Sequence, residues 1–252
     1  MQLWKKLFII MNIQQQTLAS IAIEHHQLVP VLEKYHLDFC CGGKQTLAEA
    51  CNERGLDITA IIKELKTSDI QDQKAFVDFS DMNAEQLIRY ILIKHHFYTR
   101  QSMPDIEAHL TKVAAKHGER YPYMRTVKDL FAYLKNDMYM HMQKEEMVLF
   151  PRIKEIAASF NNKTNTNKQQ EYINDPVTMM VHEHDEAGAI MEQIRILTSD
   201  YSIPEDACNT FKIVLQELKA FEEDLHKHVH LENNLLFPMA EKMIEQSAGQ
   251  AK

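Results

Sequence analysis

His141-Met-Gln-Lys-Glu145-Glu-Met-Val-Leu-Phe150-Pro151 and His228-Val-His-Leu-Glu232-Asn-Asn-Leu-Leu-Phe237-Pro238 are the same phrase written twice. Histidine, glutamate, leucine, phenylalanine and proline recur at identical spacing, with an offset of 87 from His141 to His228. In H-x-x-x-E the two side chains stand one turn apart on one helix face, so an imidazole nitrogen and a carboxylate oxygen can share a metal. One such pair arises easily by chance. Two pairs in equivalent places of a repeat, each with a matching tail, do not. Apolar residues at helical spacing flank both: Leu134, Met138, His141, Glu145 and Val148 form one stripe, and Phe221, Leu225, His228, Glu232 and Leu235 the other. An ionised glutamate on an apolar stripe is costly unless it is paired or metal-bound. The bland alternative, partly exposed residues on charged helices, leaves the repeat without an explanation.

Four long amphipathic segments surround these motifs. The first spans about Asn83 to His117, with a break expected at Pro104. The second spans Pro122 to Phe160 and is followed by a polar loop at 161–170. The third opens with Asp175 as N-cap and Pro176 in the first turn, and runs to Thr198. The fourth opens with the capping-box pattern Ser202-Ile-Pro-Glu205 and runs to Gln246. Joined by modest loops, they predict an all-α fold: an up-down four-helix bundle at 81–246, with its two hairpins about a pseudo-twofold axis. A small helical domain is expected ahead of it at 12–75, interrupted at Cys40-Cys41-Gly42-Gly43 and ending in a polar link at 69–80.

Composition agrees with this outline. Hydrophobic residues make up 45%, while six glycines and seven prolines are too few for a turn-rich sheet protein. The net charge of −8, without a basic cluster, argues against a nucleic-acid partner. None of the four cysteines forms a C-x-x-C zinc pattern, and adjacent Cys40 and Cys41 could pair only under strain, which fits a reducing cytoplasm. No apolar run approaches the roughly 18 residues needed to span a membrane. The apolar run Leu7–Met11 is too short for a signal peptide, and Met11 is a second candidate start.

Each hairpin should add one ligand from its first helix. In the second half Val177, Met180, Val181, His184, Gly188 and Met191 share a face, so His184 points inward while His182 points to solvent. In the first half the repeat leaves His95 and His96 both open, with Leu92, Ile93 and Met103 favouring His96. The other histidines (His25, His26, His36, His109, His117, His226 and His230) are expected at the surface or in supporting positions. Four imidazoles and two carboxylates suit iron or manganese better than a soft-metal site. Both carboxylates can bridge, with an oxo or hydroxo group as a third bridge, leaving one open position on each metal. The E-x-x-H pairs of a ferritin-like site occur only at Glu33–His36 and Glu223–His226, outside the repeat, so that template fits poorly.

Tyr35-His-Leu-Asp-Phe-Cys40-Cys41-Gly-Gly-Lys-Gln-Thr-Leu47, His184-Asp-Glu-Ala-Gly188 and the two H-x-x-x-E phrases together resemble the iron–sulfur cluster repair di-iron proteins, over about residues 14–240. The bundle alone resembles hemerythrin-like domains. The resemblance implies ligands at His96, His141, Glu145, His184, His228 and Glu232, with both glutamates bridging two iron ions. It implies repair of clusters damaged by nitric oxide or peroxide, through iron supply or nitric oxide removal, with iron–sulfur proteins as clients and homodimerisation left open. An enzyme reducing nitric oxide, and a sensor binding oxygen or nitric oxide, are the competing functions. Cys40 and Cys41 carry two readings: small buried hydrophobes, or a thiol pair that handles iron or nitric oxide. The first eleven residues and the asparagine-rich loop depart from the family pattern.

Overall fold

Caps and apolar spacing account for most of the helices in the computed structural model, which describes residues 13–68, 77, 79, 81–162 and 169–249. Most of the expected link at 69–80, residues 163–168 of the asparagine-rich loop and the first twelve residues fall outside the described residues. Four short helices open the chain: α1 (Leu18–Glu24), α2 (Val29–Lys34), α3 (Leu47–Glu53) and α4 (Ile58–Ser68). Thr17 caps α1, and Thr46 with Glu49 forms a complete capping box on α3. Leu18, Ile21, Leu32, Leu47, Ile61 and Leu65 give this segment its own core. Between α2 and α3 runs the Cys40-Cys41 loop, where a side chain on Gly43 would strike the Phe39 carbonyl at 2.6 Å and Ala19 at 2.8 Å. Only glycine allows the loop this close to α1.

Four rods follow. Rod 1 comprises α5 (Ala84–Ile91), a π turn (Leu92–His96) and α6 (Phe97–His117). Rod 2 comprises α7 (Tyr123–Lys144), a π turn (Glu145–Leu149) and α8 (Phe150–Asn161). Rod 3 is the single helix α9 (Gln169–Leu197), and rod 4 comprises α10 (Asn209–Leu231), a π turn (Glu232–Leu236) and α11 (Phe237–Gly249). Rods 1 and 3 each pack on rods 2 and 4. One apolar cluster takes Met103–Val113, Val127–Met142, Ala187–Ile194 and Phe211–Val229 from successive rods. A second takes Leu87–Ile91, Leu149–Ile156, Ile173–Met180 and Leu231–Ile244. The order in which each rod crosses the two clusters alternates, so the bundle is up-down-up-down. No strand occurs among the described residues.

Two helix starts and one internal break differ from expectation. Rod 3 starts before Pro176, not at Asp175, because Ile173 is buried with Val177 and Met180 one and two turns on. That packing offsets the backbone bond that proline removes. Rod 4 starts after Cys208 rather than Ser202. Ser199, Asp200 and Tyr201 turn the chain with positive φ, and buried Tyr201 and Ala207 tie the connection to the bundle end. In rod 1 the departure from α geometry falls at Leu92–His96, two turns before Pro104.

The π turns also correct the predicted stripes. Each inserts one residue into the helical count. After Glu145 the buried position therefore falls on Leu149 (1% exposed), not Val148 (41%). After Glu232 it falls on buried Leu236 rather than half-buried Leu235. In rod 1 Ile91 and Met103 line the interior, whereas Ile93 is 54% exposed and Leu92 half-buried.

Candidate metal centre

Between the two apolar clusters each rod contributes one polar step, and all six residues are buried: His96, His141, Glu145, His184, His228 and Glu232. Their donor atoms fall into two groups, His96 with His228 and His141 with His184, and both groups contain Glu145 and Glu232. Within each group the imidazoles meet Nε2 to Nε2, at 3.1 Å for His96–His228 and 3.0 Å for His184–His141. Glu145 Oε2 lies 3.3 Å from His96 Nε2 and 3.4 Å from His141 Nε2. Glu232 reaches His228 Nε2 at 3.0 Å and His184 Nε2 at 3.1 Å.

This arrangement tests the fit of a metal pair. Both oxygens of Glu145 and Oε2 of Glu232 are buried without a hydrogen-bond partner, so their contacts with the imidazoles lack hydrogen-bond geometry. Orphaned buried carboxylate oxygens are expensive. Four Nε2 atoms converging with two shared carboxylates form the mixed nitrogen and oxygen set that suits first-row divalent metals. The donor set fits two such ions.

Partners outside the cluster aim the rings. His96 Nδ1 meets Glu146 Oε1 at 2.7 Å, His141 Nδ1 meets Glu183 Oε2 at 2.9 Å, and His184 Nδ1 meets Asn233 Oδ1 at 2.9 Å. Each acceptor holds Nδ1 protonated and turns Nε2 inward. Arg100 anchors Glu146 at 2.6 Å, and Lys144 anchors Glu183. The bond from His141, against the opposing effect of burial, lowers Glu183 to about 2. Sequence reasoning missed these acceptors, although one signal was available: Glu146 and Asn233 follow the two repeat glutamates at equivalent positions.

Without metal the site is an ion cluster. Burial opposes charge on His96 and His141, but the adjacent carboxylates of Glu145 and Glu232 outweigh it and raise both to about 10, with Glu183 assisting at His141. Burial and mutual repulsion likewise oppose ionisation of Glu145, yet His141 and His96 hold it below the usual range. Glu232 is held lower still by His228 and His184, against the same burial.

The remaining candidates sit elsewhere. His182 is exposed beside Glu186. His95 is also buried, with Nδ1 on Asp224 at 3.1 Å and its ring stacked on His228. The Cys40–Cys41 pair forms a separate group with Asp38, the sulfurs 3.8 Å apart. Hydrogen bonding to Cys41 and burial push the Cys40 thiol well above its usual range, so it keeps its proton. Half-buried Cys41 lines a cavity with Glu33, Arg54, Asp185, Glu222 and His226. Rod 4 holds this loop: Asn234 donates to the Phe39 and Cys40 carbonyls, His230 contacts Phe39 O, and His226 pairs with Glu33 at 2.9 Å.

Comparison with known proteins matches residues 87–240 to the hemerythrin HHE cation binding domain family, and residues 14–69 to the ScdA_N domain of unknown function. The chain is 33% identical to the iron-sulfur cluster repair protein YtfE of Yersinia pseudotuberculosis, over 91% of this chain and 98% of that one. It is 31% identical to the YtfE protein of Escherichia coli O81 over the same shares. Against the iron-sulfur cluster repair protein ScdA of Staphylococcus epidermidis the identity is 28%, over 89% and 97%.

Proposed function

This chain belongs to the iron-sulfur cluster repair family, built on a hemerythrin HHE cation binding domain, and from that premise we propose that it returns iron to iron–sulfur clusters damaged by nitrosative or oxidative stress. Two iron ions would be held by His96 and His228 on one side and His141 and His184 on the other, with Glu145 and Glu232 available to both. The observation that carries this reading is the sharing. Two carboxylates common to two imidazole pairs give each ion only four protein donors, fewer than a closed six-coordinate oxygen and nitrogen site provides. When bound, the ions supply redox and Lewis-acid chemistry to small ligands such as nitric oxide or oxygen.

The protein residues do the holding. The apolar clusters on either side exclude water, Glu146, Glu183 and Asn233 aim the imidazoles, and the ionised glutamates balance the charge. No helix among the described residues is long and apolar enough to cross a membrane. The test incubates iron-loaded protein anaerobically with a [4Fe–4S] dehydratase inactivated by nitric oxide. Recovery above that given by equal free iron is expected. Recovery no better than free iron would overturn the proposal, and steady nitrous oxide production over many turnovers would favour an enzyme reducing nitric oxide.

A further inference from the structure

The repeat that makes the two halves of the site alike also shows where they differ. His96 and His184 are equivalents, as are His141 and His228, and Glu146 and Asn233. Glu146 holds His96 and Asn233 holds His184, so that layer is conserved in kind. Glu183, the residue before His184, holds His141 Nδ1 and is itself clamped by Lys144. The residue before His96 is His95, where the duplicate has a glutamate. His95 spends its Nδ1 on Asp224 and lies parallel to His228, with ring centroids 5.6 Å apart and planes at 8°. His228 Nδ1 is consequently buried with no hydrogen-bond partner among the described residues. Of four converging imidazoles, three are fixed by an acceptor and one only by a stacked ring.

Stacking limits the tilt of a ring but does not fix its tautomer or its rotation in the plane, as an Nδ1 acceptor does. We propose that the two metal positions are inequivalent: the ion held by His96 and His228 is released first, because His95 stands where a carboxylate acceptor for His228 Nδ1 would otherwise be. This rests on the reading that the six residues hold two ions. It adds which ion leaves, and names His95 as the positioning residue that decides it. The surface cavity beside His141 does not reverse the order, since Glu183 and Lys144 line it and lock that ring.

An outer hydrogen-bond partner typically changes metal affinity 10- to 100-fold, so the release rates should differ by the same order, about 10- to 100-fold. The experiment loads the full chain with ferrous iron anaerobically, counts metal by mass spectrometry, and follows release into excess bathophenanthroline by stopped flow. Two ions per chain and two phases of equal amplitude are expected. His95→Gln can donate to Asp224 and accept from His228, and should slow only the fast phase, by about tenfold or more. Glu183→Ala should speed only the slow phase, which keeps the inference testable if the buried His95 variant fails to fold. One phase releasing both ions, or both substitutions acting on the same phase, would overturn the inequivalence while leaving the two-ion site intact. Loading of fewer than two ions would overturn the six-residue reading, and the inference with it.

Discussion

Metal uptake should expel protons, and the number follows from the site. Before metal binds, burial opposes charge on His96 and His141, but the adjacent carboxylates of Glu145 and Glu232 overcome it and hold both rings at about 10. At pH 8 each ring is therefore roughly 99% protonated, whereas a ring at the ordinary value of about 6.5 would be roughly 3% protonated. Coordination requires the neutral ring, and both glutamates are already ionised, so loading should release about two protons per chain at pH 8. The apparent affinity for each ion should rise about tenfold per pH unit between 7 and 9, one proton from the raised ring of its own group, and the product of the two affinities about a hundredfold. The sign for stability is opposite. Folded values raised above the unfolded one stabilise the metal-free protein fully below about pH 6.5, and that contribution fades as pH rises toward 10. The assay titrates manganese(II) into weakly buffered protein containing an indicator dye, at several pH values. Fewer than about half a proton per chain at pH 8, with release growing only as pH falls through 6.5, would refute the reasoning.

Other consequences concern packing and support. Leu149→Ala should cost about 2–5 kcal/mol in chemical denaturation, while Val148→Ala should stay within about 0.5 kcal/mol, because the π turn places Leu149 in the core. Equal effects would count against the inserted residue. Asn233→Ala should weaken metal binding about 10- to 100-fold by competition with a chelator, while exposed His182→Ala leaves it unchanged. Burial works against charge on His226, but Glu33 raises it above 6.5. The grip of rod 4 on the N-terminal segment should thus be complete below pH 6.5 and loosen as pH climbs through the raised value, seen as faster proteolysis near residues 30–40. Protection independent of pH would argue against this pair.

Why some of this could be read from sequence and some could not is a matter of period. His141, Glu145, His228 and Glu232 were legible because duplication and apolar spacing act together, and His184 followed from the face it shares with Met180 and Met191. The π turns were not legible. An i→i+5 turn leaves no mark in composition, and it moves the buried position from Val148 to Leu149 and from Leu235 to Leu236. Spacing alone left His95 and His96 both open because they precede His184 by 89 and 88 residues and neither matches the repeat offset of 87, and the fold buries both. The start of rod 3 was misjudged because Asp175-Pro176 is a sound local start signal, overridden by burial of Ile173 beyond it. The acceptors Glu146, Glu183 and Asn233 are charged or polar residues on helices rich in such residues, and only the fold shows which imidazole each one faces.

The central claim is that two shared carboxylates and two pairs of imidazoles hold two ions in the waist of the bundle. Anomalous diffraction at the iron edge from crystals of the iron-loaded chain tests it most directly. Two peaks per chain are expected, one bound by His96 and His228 and one by His141 and His184, each also bound by Glu145 and Glu232. A single peak, or iron located instead at Asp38, Cys40 and Cys41, would contradict it.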